Sequence, residues 1–295
     1  MILRFSGIEV EVTSPDYSEI PFLFGPHVVR DSASVASVRV EFMVPAPQAA
    51  GNAAGEPEFL VRHSDGTPLL RRAFRGWGNL PPALPPFAVM RDRFALLQAV
   101  VLADRANTVA LVGGPYSEKL SVAAALAHRS WRFVSGQLLV LDLVNRQVVP
   151  FLLPLEARGR AAARMRAAGL PEEGYRSVPS ASDGELLLIR PECLGGVVPV
   201  QARVELPTLV RLCRTAGEGV RLTPWEFTPQ VWPPEAAAAF TDRPRYQLEL
   251  ASANGAEEAA VLIDAELTRK KDDACLDVPA TSPAVPAGLT ASLLT

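Results

Sequence analysis

Residues 108–128 read TVALVGGPYSEKLSVAAALAH, and the order of the parts in this stretch decides the fold class. TVALV (108–112) is short, apolar and rich in β-branched residues, as a strand buried on both faces is. Gly113-Gly114-Pro115 then breaks the run, and LSVAAALAH (120–128) has strong helix propensity. Strand, glycine turn and helix form the skeleton of a phosphate-binding loop, where backbone N–H groups at a helix N-terminus face an anion. A working loop reads G-x-x-x-x-G-K-[ST], with lysine on the terminal phosphate oxygens and the hydroxyl on Mg²⁺. The eight aligned residues here are Gly113, Gly114, Pro115, Tyr116, Ser117, Glu118, Lys119 and Leu120. The first glycine and the lysine are kept. Glu118 stands in place of the second glycine, and Leu120 in place of the magnesium-binding hydroxyl.

Both replacements have physical consequences. Glycine at the second position lets the backbone approach the phosphates in conformations costly for other residues. A carboxylate there also repels phosphate oxygens, by about 4 kcal/mol per unit charge at ~4 Å and an effective dielectric of about 20. Leucine cannot ligate a hard cation. Ser121 can reach an anion but faces another direction on the helix. The residual nucleotide-binding set is therefore Gly113, Gly114, Lys119 and Ser121. Lys119 has two readings, an anion ligand at the helix N-terminus or a surface lysine. Glu118 has a reading of its own, as a plug whose carboxylate takes the loop N–H groups in place of phosphate. In that case Glu118→Gly restores nucleotide affinity.

Working outward, residues 94–104 (FALLQAVVLAD) are apolar at Phe94, Leu96, Leu97, Val100 and Val101, which predicts a helix packed on a sheet. Strands are predicted over 132–135, 138–142, 147–153, 185–189, 197–205 and 246–250, and helices over 156–168, 234–240 and 256–265. Residues 171–184 read as a loop. Before the central stretch, alternating segments at 2–5, 8–12, 38–44 and 59–62, separated by turn residues, predict antiparallel strands. The segments 45–57 (PAPQAAGNAAGEP) and 81–86 (PPALPP) read as loop and extended connection. The expected organisation is a β-rich N-terminal subdomain over 1–90, an α/β core over 91–268 and a disordered tail over 269–295. There is no internal repeat.

Composition excludes several partners. Hydrophobic residues make up 48% and charged residues 21%, so an ordinary core can be buried. The net charge of −3 supplies no basic field for nucleic acid or anionic lipid. No apolar run approaches the ~18 residues of a membrane span, and the start MILRFSGIEVEV alternates like a strand rather than a secretory leader. The expectation is a cytoplasmic protein with no nucleic-acid or membrane partner. Cys193, Cys213 and Cys275 lie far apart, as do His27, His63 and His128, so neither a disulfide framework nor a metal site is expected.

From 108 to 154 the sequence resembles the nucleotide-binding core of HPr-kinase-like proteins. After the loop and its helix come WRFVSGQLLVLD (131–142) and VVPFLLPL (148–155), in the order and spacing of that family. Upstream, LLQAVVLADRANTVALVGG (96–114) is similar to the family's helix, turn and strand, with Gln98 where a histidine usually stands. IRPECLGG (189–196) and PRYQLEL (244–250) resemble later segments. The resemblance implies an α/β fold with a phosphate-loop-type mixed sheet, like the C-terminal domain of HPr kinase, helices on its faces and an N-terminal antiparallel β subdomain. It also marks a departure. The family's Ser-Asp-Asp-like turn is Ser135-Gly136-Gln137 here. In the family those acids serve metal binding and activation of the accepting hydroxyl. Four positions of one site are thus replaced: Glu118, Leu120, Gly136 and Gln137.

Loss of the magnesium anchor and the general base removes what in-line phosphoryl transfer needs. The expectation is a pseudokinase with no catalytic residues, no metal, and weak or absent binding of ATP and Mg²⁺. Such a protein works by binding a protein or peptide partner, and the resemblance implies a place beside a modifying enzyme in a peptide natural-product pathway. Two alternatives stand. One is an active ATP-dependent phosphotransferase on a peptide or small molecule, using Lys119, Ser121 and Asp142. The other is a structural subunit that forms a homo-oligomer or completes a complex. Asp142 also reads as a turn cap. The arginines at 158, 160, 164 and 166 suit either an acidic peptide or a solvated helix face, and Trp77, Trp225 and Trp232 either an interface or loop packing.

Overall fold

The computed structural model describes residues 1–5, 8–29, 38–43, 58–73, 93–114, 117–180, 184–226, 234–251 and 255–276. The segments 45–57 and 81–86, Trp77, Trp232 and residues 277–295 lie outside them. The alternation at the N-terminus produces β1 (Ile2–Phe5), β2 (Ile8–Thr13), a short helix α1 (Ile20–Phe24), β3 (Val28–Val29), β4 (Val38–Met43), β5 (Glu58–His63) and β6 (Pro68–Ala73). These strands make a six-stranded sheet in the order β3-β1-β2-β4-β5-β6. Leu3, Phe5, Ile8, Val10 and Val12 are buried in its core. Expected to be wholly antiparallel, the sheet has one parallel pairing, β2 with β4. A parallel pair needs a long crossover, and the 24 or so residues that include α1 supply it.

The larger sheet contains β7 (Phe94–Ala103), β8 (Thr108–Val112), β9 (Arg132–Ser135), β10 (Leu138–Asp142) and β11 (Gln147–Val149). Helix α2 (Lys119–His128) follows β8. Three further strands complete the sheet: β15 (Thr208–Arg214), β16 (Val220–Pro224) and β17 (Arg245–Leu250). Its order is β11-β10-β7-β8-β15-β17-β16, with β9 paired to β7. β8, β15 and β17 run parallel, and the remaining pairs are antiparallel. β7 corrects the expected helix at 94–104. It is buried along nearly its whole length and hydrogen-bonds to β8, β9 and β10. A strand covered on both faces is apolar almost everywhere, so its spacing mimics a helical stripe.

A three-stranded sheet, β12 (Leu155–Arg158), β14 (Gly184–Ile189) and β13 (Tyr175–Ser180), lies beside helix α3 (Gly159–Ala167). The helix expected from 156 starts only at Gly159, because the first residues pair with β14 instead. The loop expected over 171–184 holds β13. The strand expected over 197–205 is reduced to isolated bridges at Val197 and Val204, and the true strand comes after it as β15. Helix α4 (Pro234–Ala239) agrees with expectation. Helix α5 (Ala256–Leu276) runs past it, through the charged KKDDA that was expected to open a disordered tail.

α2 is sandwiched between sheet and α5, and every residue from Leu120 to Ala127 is buried. Asp264 of α5 fastens the layers, accepting from Arg129 Nη2 (2.9 Å) and Trp131 Nε1 (3.1 Å). The N-terminal sheet shares a core with the larger one, where Leu3, Phe5 and Val10 meet Leu138, Val140 and Phe151. His27 bridges that junction. Its Nε2 accepts from the Leu152 N–H and its Nδ1 faces the Arg4 carbonyl, each at 3.0 Å. No helix among the described residues is long and apolar enough to cross a membrane.

Candidate functional site

β8 ends at Val112 and delivers Gly113 and Gly114 to the start of α2, at the carboxyl ends of parallel strands where α/β sheets bind ligands. Gly113 is required by close approach. A Cβ there would lie 2.7 Å from Ser117 Oγ and 3.1 Å from the Leu212 carbonyl. Ser117 Oγ donates to the Gly114 carbonyl at 2.8 Å, closing the loop on itself. Glu118 adopts the left-handed conformation (φ 65°, ψ 18°), the backbone that favours glycine at this place in a phosphate loop. The chain therefore holds a glycine-type geometry with a carboxylate on it.

The two charged residues of the loop turn to neighbours within the protein. Lys119 Nζ donates to the carbonyls of Gly113 (2.5 Å) and Gly114 (2.7 Å) and lies 3.4 Å from Ser117 Oγ. Burial pulls its pKa down to about 8, while Glu156 pushes it back up. Three acceptors around the three ammonium protons favour the charged form, whose charge is thus spent on the loop's own oxygens. The Glu118 carboxylate accepts from Ser121 Oγ (2.9 Å) and from Arg164 Nη2 of α3 (2.6 Å). One reading of the sequence had it take the loop N–H groups. Among the described residues it instead ties the loop to α3 and engages Ser121, which is buried beside it. Leu120 is buried against the core.

Gly136 and Gln137 occupy the turn between β9 and β10, on the wall facing the loop. A Cβ on Gly136 would lie 2.3 Å from the Leu153 carbonyl, a contact no side chain tolerates. Gln137 Nε2 donates to the Pro154 carbonyl. The segment 153–154 thus runs across the turn, filling the space beside Gly136 and accepting from Gln137. Asp142 lies at the far end of β10 and is a turn cap. Its Oδ1 accepts from the N–H groups of Val144 and Asn145, both at 3.0 Å. It does not reach the loop, so the structure does not bring it to Lys119 and Ser121.

Between loop and turn lies a cleft of about 560 Å³. Lys119, Glu118, Gly136 and Gln137 line it with Gln98, Glu156, Arg158, Arg160 and Arg214. Glu156 pairs with Arg158 at 3.0 Å. Arg166, grouped with these arginines in the sequence, pairs instead with Glu185 and Ser177. Sequence reasoning missed Glu156 and Arg214. Arg214 ends β15, the parallel neighbour of β8, and only recognition of that strand would have placed it at the loop. Trp225 packs with Arg211 across 5.5 Å. Among the described residues there is no group of three or more His, Cys, Asp or Glu able to hold a metal ion, and Cys193 and Cys213 are free thiols.

No family model matches the sequence, and no curated protein matches it. Among solved structures the chain is similar to the HPr(Ser) kinase/phosphatase from Coxiella burnetii. The identity is 12%, the TM-score 0.33, and the match covers 60% of this chain and 98% of that one.

Proposed function

We propose that this chain is an HPr-kinase-like protein that has lost phosphoryl transfer and works by binding a protein or peptide in the cleft between Lys119 and Gly136. Gly136 is the observation that carries the reading. A carboxylate there requires the segment carrying the Leu153 carbonyl to move, so the family's acid is replaced by close backbone packing rather than by a small neutral side chain with room beside it. The loop supports the same reading. Lys119 is committed to the carbonyls of Gly113 and Gly114, and the loop carries a carboxylate, Glu118, paired with Arg164. Neither ATP nor Mg²⁺ is needed for such a role. A setting beside a modifying enzyme of a peptide natural-product pathway rests on the sequence resemblance alone.

Calorimetric titration with Mg-ATP, paired with an ATP-turnover assay, tests this. The expected result is no saturable heat at millimolar nucleotide and no turnover above the buffer rate. Turnover that disappears in Lys119→Ala would overturn the proposal.

A further inference from the structure

The cleft has the opposite sign to the molecule that carries it. The chain bears a net charge of −3, yet the cleft presents Lys119, Arg158, Arg160 and Arg214 against only Glu118 and Glu156. Both carboxylates are already engaged, Glu118 with Arg164 and Glu156 with Arg158. Arg160 and Arg214 are exposed and, among the described residues, have no ion-pair partner. The lining also includes the apolar side chains of Val100, Leu138 and Leu155. Guanidinium groups recognise carboxylates through paired N–H donors, and a cleft of one sign with low-dielectric walls focuses its field on an approaching anion.

We infer that the cleft binds a peptide segment in which acidic side chains alternate with aliphatic ones, the acids on Arg160 and Arg214 and the aliphatic groups on the wall of Val100, Leu138 and Leu155. This rests on the proposed role in binding and names the chemistry of the partner. A peptide fits better than a nucleotide. The lysine of the loop is committed to the loop's own carbonyls, whereas the guanidinium groups of Arg160 and Arg214 are exposed. A backbone amide of the peptide can also meet Gln98, an exposed residue of the same lining.

Fluorescence anisotropy with a labelled hexapeptide of alternating glutamate and leucine tests the inference on the full chain. A lysine–leucine hexapeptide and fluorescent ATP with Mg²⁺ serve as comparators. The acidic peptide is expected to bind at least tenfold more tightly than the basic one, and to weaken severalfold between 50 and 300 mM salt, figures on the order expected for two exposed charge contacts. The double variant Arg160→Ala with Arg214→Ala should lose about tenfold in affinity. Both residues are exposed, so folding is preserved, which circular dichroism checks. Equal affinity for the two peptides, undiminished binding by the double variant, or a preference for the nucleotide would each overturn the inference. None of these outcomes bears on ATP turnover, which alone judges the loss of phosphoryl transfer.

Discussion

Glu118 shows how one residue can occupy a conformation suited to another. Its left-handed backbone costs on the order of 1 kcal/mol for a residue with a Cβ. Its partly buried ion pair with Arg164 and its bond from Ser121 offset a similar amount. The conformation therefore survives without the glycine that usually supports it. Gly136 is the converse, a glycine that a larger residue can replace only if the Leu153 carbonyl shifts. Gly136→Ala should destabilise the fold by about 1–3 kcal/mol through overpacking against Leu153. Gly136→Asp should cost more, since it adds a desolvated carboxylate to a buried turn. Urea denaturation measures both, and an unchanged midpoint for Gly136→Asp would remove the main support for the proposed loss of phosphoryl transfer. The identities of Glu118, Leu120, Gly136 and Gln137 were legible in the sequence. That Lys119 faces back onto its own loop was not, because a side chain's direction depends on which acceptors tertiary packing leaves nearby.

At the scale of elements, the site depends on α2 being held rigidly between β8 and α5. Asp264 is the fastener. Asp264→Ala removes the charged bond from Arg129 and leaves the indole N–H of buried Trp131 without its acceptor, at a cost of about 1–3 kcal/mol. Hydrogen exchange should report it as faster exchange over α5 and the first turns of α2, with the N-terminal sheet unaffected. Uniform acceleration across the chain would mean that α5 and the sheet unfold as one unit. The elements that sequence placed correctly were those whose pattern fits one environment, such as β8, α2 and β17. β7 failed because burial on two faces erases the period that separates strand from helix. β15 failed because its run PTLVRLCR mixes arginines with apolar residues, and only the pairing with β8 and β17 makes it a central strand.

At the scale of the whole molecule, His27 joins the N-terminal sheet to the core. It is fully buried, packs its ring against Phe5 at 4.3 Å, and accepts the Leu152 N–H through Nε2. Burial holds its pKa down to about 4, partly countered by the bond to the Arg4 carbonyl. A histidine whose folded pKa lies below its ordinary 6.5 is neutral in the fold and takes up its proton on unfolding. Its contribution to stability is therefore complete above pH 6.5 and is lost as pH falls through 6.5 toward about 4. The expected loss is about 3 kcal/mol over that window. Replacement by His27→Gln should lower stability at pH 7 yet flatten this slope, which denaturation series at pH 4.5, 5.5 and 7 would read. An unaltered slope would assign the acid sensitivity to other groups.

The sequence alone determined the strand–loop–helix unit at 108–128, the β-rich start of the chain, and the identities of Glu118, Leu120, Gly136 and Gln137, because each is a property of consecutive residues and their intrinsic preferences. Tertiary structure alone decided the parallel pairing of β2 with β4, the strand character of 94–103, and the assembly of Arg160 and Arg214 on one cleft. It also decided that the Leu153 carbonyl closes the space beside Gly136. These depend on distant segments sharing one space, and no local preference encodes which carbonyl or guanidinium group the fold will bring within reach.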